Sequence, residues 1–321
     1  MKGAGMSVVA PNPVTLSVVD IEPDGTRDLR DEAAGIVERA GGSWRRVLEE
    51  VAALRSGIAS TVRNTADGGR LPILVRGLPV WDGYRTPPSR SEAPKEPQLP
   101  DLVPLMLMAE LGHPMAFSVT QDGRSVQDIV ASDAPQAAPE PGARGRELDM
   151  HIEAGYARFK PDYVGLYCMY NDDRVGTILS VLRPELIPAD VAAALSTVRP
   201  SAVLEKGTMD ELDPASTLIE APADHTRFRV NYDLGFFAFD LTGEQQDALE
   251  ALTKVVTDQR RTVVLNPGEM VIWDNHTTIH GRNSYPLHHN GRDRWLKRVY
   301  SKQDVLSCAD LLIDKELNIF P

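Results

Sequence analysis

An imidazole and a carboxylate stand two positions apart in His151-Ile152-Glu153. On an extended strand, residues i and i+2 face the same side, so the two groups converge on one point. A facial metal site of two histidines and one carboxylate needs that geometry, because it leaves three adjacent positions of an iron ion open. The triplet alone is weak, since such spacings recur in proteins that bind nothing. A second imidazole must come from elsewhere among His113, His225, His276, His280, His288 and His289.

One segment could supply it. From Leu265 a Pro-Gly turn leads into an apolar strand, then polar residues, then His280-Gly-Arg282, with His276 four residues before His280. A basic, aromatic run follows, Arg292-Asp-Arg294-Trp-Leu-Lys-Arg298-Val-Tyr300. Four residues apart in a strand, Arg294 and Arg298 point the same way. A guanidinium forms bidentate bonds to a carboxylate, so two of them beside iron could hold a keto acid and a substrate acid. A solvated charged edge strand would look the same in isolation.

The elements that position these residues are legible in part. Between Asp28 and Ile58, Ile36, Val37, Ala40, Trp44, Val47, Leu48, Val51 and Leu54 recur with a helical period, broken at Gly41-Gly42. Leu71 to Leu78 reads as a strand. Thr86 to Pro100, with its five prolines, reads as a loop, and so does Ser132 to Gly145. The second loop directly precedes His151, so residues 132–148 are expected to form an active-site lid. Short strands dominate from Met115: Ala116–Val119, Ser125–Val130, Tyr163–Met169, Gly176–Val181, Phe228–Tyr232, Phe236–Phe239, Val263–Leu265, Met270–Trp273 and Arg294–Tyr300. Helices interrupt at Pro188–Leu195 and at Thr242-Gly-Glu-Gln245, a capping-box pattern. Strands and helices do not alternate regularly, which excludes a doubly wound parallel sheet. The pattern predicts an α+β fold with an antiparallel double-stranded β-helix (jelly-roll) core, flanking helices and an N-terminal helical segment. Residues 1–321 read as one domain, with 1–20 a loose lead-in and 303–321 a C-terminal tail.

A formal net charge of -12 argues against a general nucleic-acid or anionic-membrane binder. Cys168 and Cys308 form no CxxC pair and suit a reducing compartment. No run approaches the roughly 18–20 apolar residues of a membrane span, and Met1 to Thr15 lacks a signal-peptide core. A cytoplasmic protein is expected; its oligomeric state is not encoded in any of these features.

These motifs together resemble the clavaminate synthase-like family of Fe(II)/2-oxoglutarate-dependent oxygenases, which includes arginine and asparagine hydroxylases of peptide-antibiotic pathways. The likeness runs from about Leu71 to Gln303. It rests on Leu74-Val-Arg-Gly-Leu-Pro79, His151-Ile-Glu153, Lys160-Pro-Asp-Tyr-Val164, Asn266-Pro-Gly-Glu, Trp273-Asp-Asn, His280 and Gly291-Arg-Asp-Arg-Trp-Leu-Lys-Arg-Val-Tyr300. It implies Fe(II) as cofactor and 2-oxoglutarate and O2 as co-substrates, with iron on His151, Glu153 and His280. It further implies that Arg294 and Thr177 hold the distal carboxylate of 2-oxoglutarate, and that Arg298 pairs with the substrate's α-carboxylate. Gln121 falls near the substrate amino group, where Glu153 would assist with its free oxygen. Asp233 in Val230-Asn-Tyr-Asp falls at the far, polar end of the substrate.

Two positions depart from the family. Ile152 replaces the usual Thr and should point away from iron. Asn231 stands where arginine hydroxylases have the first of two acids, which should leave a single carboxylate, Asp233, beside Asn231 on one strand face. The resemblance thus implies hydroxylation of a free polar, cationic L-amino acid at Cβ or Cγ in natural-product biosynthesis. Desaturation or oxidative cyclisation of a related amino acid is an alternative, as is a jelly-roll binding protein without chemistry.

Overall fold

A computed structural model describes residues 15–54, 57–131, 147–203, 212–220 and 228–321. Most of the expected lead-in and lid, and His225, lie outside the described residues. The chain opens with β1 (Ser17–Asp20), α1 (Pro23–Ala40), α2 (Trp44–Ala53) and α3 (Gly57–Asp67). There follow β2 (Ile73–Arg76), α4 (Leu99–Ala109), β3 (His113–Phe117), β4 (Val126–Val130), β5 (Leu148–His151), β6 (Tyr163–Tyr170) and β7 (Gly176–Val181). After α5 (Ala189–Leu195) come four two-residue strands, β8 (Ala202–Val203), β9 (Ile219–Glu220), β10 (Arg229–Val230) and β11 (Phe237–Ala238). The last part is α6 (Gly243–Asp258), β12 (Arg260–Val264), β13 (Met270–Asp274), β14 (Thr278–Arg282), β15 (Trp295–Lys302) and β16 (Ile319–Phe320).

Two sheets carry the site. The larger runs β1-β2-β13-β6-β15-β3-β16, with β4 also on β15; the smaller runs β12-β7-β14-β5. Strand alternation assigns each side chain its layer. Leu166 and Cys168 of β6, Val271 and Trp273 of β13, and Leu296 and Tyr300 of β15 face the smaller sheet, meeting Leu179 and Val263. Tyr167, Met169, Met270, Ile272, Trp295 and Val299 face the other way, onto α1, α2 and α4. The outer face of the smaller sheet is covered by α5 and α6 through Val191, Leu195, Leu252 and Val256 against Ile178 and Ile279.

Local chemistry sets the helix ends. Gly41 stops α1 in the left-handed region at φ 56°, where glycine carries no Cβ penalty, and its N–H donates to the Val37 carbonyl. The Thr242–Gln245 capping box forms in both directions, at 3.0 and 3.3 Å. The proline-rich loop ends sooner than expected, because Leu99 and Pro100 already begin α4. That helix buries Leu102, Val103, Leu105, Met106, Leu107 and Met108. A helix apolar on every side shows no amphipathic period, which hides it in the sequence.

Two expectations are corrected at the termini. Ser17–Asp20 is not a loose lead-in but β1, parallel to β2. Residues 303–321 do not trail off, since β16 lies parallel to β3 and buries Phe320, stacked on Phe159 at 5.5 Å. Among the described residues no helix is long and apolar enough to cross a membrane.

Candidate active site

His151 ends β5 and lies in register with His280 of β14. Cross-strand partners face the same side, and the two rings sit 4.2 Å apart between centroids. Two residues on, Glu153 follows the fully buried Ile152, which points into the apolar cluster under α5 and α6 as expected. The Asn275 side chain fixes the Glu153 backbone, accepting from its N–H at 3.1 Å and donating to its carbonyl at 2.9 Å. Glu153 Oε2 then lies 4.0 Å from His151 Nε2 and 3.8 Å from His280 Nε2, and the three donor atoms all fall within 4.8 Å of one another.

This donor set suits a divalent metal. His151 Nδ1 lies 2.8 Å from the Asp149 carbonyl, a contact that assigns the proton to Nδ1 and leaves the Nε2 lone pair for a metal. Burial, then His151 and Arg298, hold His280 well below the ordinary histidine range, so its imidazole is neutral. Burial opposes ionisation of Glu153, but Arg298, His151, Tyr300 and Arg90 together keep its carboxyl below the usual range. With bonds of about 2.1 Å, neighbouring donors sit roughly 3 Å apart, so metal binding would draw these three together by about 1 Å. It is His280, not His276, that the fold brings to the pair. His276 Nε2 lies 2.6 Å from Asp162 Oδ1.

Arg294, immediately before β15, sends Nη2 to Thr177 Oγ1 of β7 at 3.2 Å, so these two side chains stand together. Both side chains are buried. Burial pushes the Arg294 pKa down, against Tyr285 and Cys168. Arg294 Nε and the Tyr285 hydroxyl have no hydrogen-bond partner among the described residues. The result is a desolvated cationic pocket suited to an anion.

Arg298 donates from Nη1 to Glu153 Oε2 at 3.0 Å, and from Nε and Nη2 to Gln127 Oε1 at 3.0 and 2.6 Å. Gln127 is the register partner of Arg298 in the β4–β15 ladder, and its Nε2 has no partner among the described residues. Sequence reasoning had put Gln121 here. The structure instead commits the Gln121 amide to the Asp128 backbone, at 2.9 and 2.8 Å, and to Arg124 at 2.7 Å. The missed signal lay in strand alternation: in Val126-Gln127-Asp128, a glutamine facing the site is followed by an aspartate that binds Lys297 on the other side, at 2.6 Å.

Asp233 lies beside the metal donors, in an isolated bridge to His151. Its Oδ1 also accepts from the Phe236 N–H at 3.0 Å, so it caps a turn as well. Burial raises its pKa, His151 and the turn amides oppose, and Glu153 adds to the rise. Asn231 does not share this position, contrary to expectation. β10 ends at Val230, and a buried cation captures the amide: Asn231 Oδ1 accepts from Lys160 Nζ at 2.8 Å, while Nδ2 donates to the Thr217 carbonyl and Glu220 Oε1 at 2.7 and 2.8 Å. Lys160, Asn231 and Glu220 line a polar cavity of about 260 Å³ with Arg229, Asp162 and His276.

The chain is similar to known oxygenases. Residues 216–300 match the family described as taurine catabolism dioxygenase TauD, TfdA family. The chain is 30% identical over 292 residues to L-asparagine oxygenase of Streptomyces coelicolor, covering 86% of this chain and 83% of the relative. It is 28% identical over 277 residues to enduracididine beta-hydroxylase of Streptomyces hygroscopicus, covering 76% and 79%. The crystal structure of the non-heme iron oxygenase OrfP with Fe and alpha-ketoglutaric acid shares the fold, with a TM-score of 0.81 at 22% identity over 95% of this chain and 100% of that one.

Proposed function

Because the chain belongs to the clavaminate synthase-like family of Fe(II)/2-oxoglutarate-dependent oxygenases, we propose that it hydroxylates a free L-amino acid with a polar, cationic side chain, at Cβ or Cγ. It is an enzyme that uses Fe(II), 2-oxoglutarate and O2. Bound iron supplies the activation of O2, with 2-oxoglutarate consumed as the reductant. Natural-product biosynthesis is the setting of this reaction.

In this reading His151, Glu153 and His280 hold the iron on one face. Arg294 and Thr177 take the distal carboxylate of 2-oxoglutarate in a pocket closed to water. Arg298 exchanges part of its contact with Glu153 for the α-carboxylate of the amino acid, a charge-assisted, planar match. Gln127 then stands beside Arg298 with a free amide edge for the substrate's polar backbone groups. Holding both partners in place brings the reacting carbon to the metal and excludes bulk water, which is most of what the protein contributes. The two stacked sheets form the jelly-roll core of a single domain, residues 1–321, with α1 to α3 as its N-terminal helical segment. The enzyme works in the cytoplasm, and the expected lid at 132–148 lies almost wholly outside the described residues. Asparagine and enduracididine, named for two relatives, are both polar amino acids.

The observation that carries the cationic preference is Asp233, partly buried and bridged to His151. A carboxylate at this position compensates the positive charge of a cationic side chain. An aerobic panel of amino acids, scored by succinate formation and product mass, tests this with Asp233→Asn. The variant should lose activity toward cationic substrates while still binding iron and 2-oxoglutarate. A fall in thermal stability with unchanged substrate preference would make Asp233 a turn cap only and remove the proposal's support.

A further inference from the structure

The polar cavity beside Asn231 holds more buried basic nitrogen than its acids answer. Arg158, Lys160, Arg229 and Lys302 line it against Asp162, Asp213, Glu220 and Asp304, whereas none of the metal donors, nor Arg294, Arg298 or Asp233, does so. The formal charges cancel, but the hydrogen bonds distribute them unevenly. Asp162 meets the His276 ring at 2.6 Å and accepts from the Gln303 N–H at 2.7 Å. Asp213 and Asp304 accept from the Ala215 and Ser307 N–H groups at 2.9 and 3.1 Å. Glu220 accepts from the Asn231 amide at 2.8 Å and lies 3.7 Å from Arg229 Nη1. Arg158 pairs with Asp310, which does not line the cavity. The two lysines meet only neutral oxygens. Lys160 Nζ donates to Asn231 Oδ1 and the Val230 carbonyl at 2.8 and 3.4 Å, and Lys302 Nζ to the Lys160 carbonyl at 3.0 Å. Both side chains are buried, at 6 and 8% exposure. Arg229 Nε and His276 Nδ1 are also buried, without a hydrogen-bond partner among the described residues.

We propose that this cavity binds a small tetrahedral oxyanion of the sulfate or phosphate type, held by Lys160 and Lys302 with Arg229 as a further donor. An ammonium carries three N–H donors, so both lysines keep hydrogens that no protein oxygen takes up. A buried cation answered only by neutral oxygens is costly, and an anion removes that cost. Burial outweighs Glu220, Asp274 and Asp162 and draws the Lys160 pKa down to about 7, so these acids do not compensate the ammonium. The donors come from three directions: Lys160 from the loop after Glu153, Arg229 from β10 and Lys302 from the end of β15. A tetrahedral anion presents an oxygen towards each of them, which a planar carboxylate with two oxygens does not. At about 260 Å³ the space lies below the roughly 300–1,000 Å³ of sites for larger organic ligands and suits an ion of this size.

The test titrates sodium sulfate, sodium phosphate and sodium acetate into the full chain, following heat of binding and the thermal midpoint against sodium chloride at equal ionic strength. Sulfate and phosphate should each raise the midpoint of wild type in a saturable way, and acetate should not. General stabilisation by sulfate excluded from the surface does not saturate and is common to all variants, so it drops out of the comparison. Lys302→Met and Arg229→Gln should each weaken sulfate by roughly tenfold to hundredfold, while Lys302→Arg, which keeps the charge, should retain most of the affinity. Arg294→Met, altered at the far end of β15, should bind sulfate as wild type does. No saturable response in wild type, or wild-type affinity in both Lys302→Met and Arg229→Gln, would overturn the proposal. So would loss of the response in Arg294→Met, which would move the anion to the catalytic centre. Acetate binding as tightly as sulfate would overturn the tetrahedral assignment.

Discussion

Lys160 makes the stability of this protein depend on pH above neutrality. Its side chain is 6% exposed. Burial pulls its pKa from 10.5 down to about 7; Glu220 opposes the fall and Arg229 adds to it. Between those two values the unfolded chain holds a proton that the folded chain has released, so stability rises with pH. Lys160's stability contribution is complete above 10.5 and is lost as pH falls towards 7. The full span is about 5 kcal/mol, at 1.36 kcal/mol per pH unit, and the part between pH 7 and 9 is about 2 kcal/mol. Lys160→Met abolishes that slope. It also leaves Asn231 Oδ1 without its donor, a pH-independent cost of about 1–3 kcal/mol. Urea unfolding of both proteins at pH 7 and pH 9 separates the two effects, because every other titrating group is common to both. The stability of wild type relative to the variant should grow by about 2 kcal/mol between the two pH values. A difference that stays constant would refute the buried, proton-releasing lysine.

Alanine at His151, Glu153 or His280 should abolish turnover and Fe(II) retention, while His276→Ala should retain much of the activity; an inactive His276→Ala beside a fully active His280→Ala would overturn the ligand assignment. Arg294→Met should chiefly raise the KM for 2-oxoglutarate and Arg298→Met that for the amino acid, each by roughly tenfold to hundredfold in steady-state assays, and equal effects on both substrates would contradict the division of labour. Gln127→Ala should raise the amino-acid KM with little change in Tm, whereas Gln121→Ala should lower Tm with little change in KM. The reverse pattern would restore Gln121 to the site.

Much of the metal centre was legible because its geometry is local. His151 and Glu153 are two residues apart, and strand alternation alone makes them converge. Arg294, just before β15, and Arg298, within it, obey the same rule. What could not be read was which segments meet. Thr278-Ile-His-Gly-Arg282 contains a single aliphatic residue and no clear alternation, so nothing local marks β14 as the strand opposite His151. Gln121 and Gln127 are six residues apart and chemically identical; only the pairing of β4 with β15 distinguishes them. Asn231 was misplaced because its fate depends on Lys160, seventy-one residues away, whose buried Nζ donates to the amide oxygen. The short strands β1 and β16 derive their order from partners rather than from their own four- and two-residue patterns.

The inner face from Arg294 through β15 carries cations at positions 294, 298 and 302. At about 3.3 Å per residue, Arg294 and Arg298 have their backbones roughly 13 Å apart. β6 pairs with β15 along one edge and β4 along the other, so this interval is held by ladder hydrogen bonds rather than by loops. The strand works as a ruler: one mark for the co-substrate acid, one for the amino-acid head, with the iron donors gathered beside them. Asp233 stands off the ruler, in the irregular stretch 231–233. A lineage could therefore rewrite that stretch and exchange one amino-acid side chain for another without resetting the interval that aligns oxidant and carbon. Chemistry and taste would be inherited on separate pieces of chain.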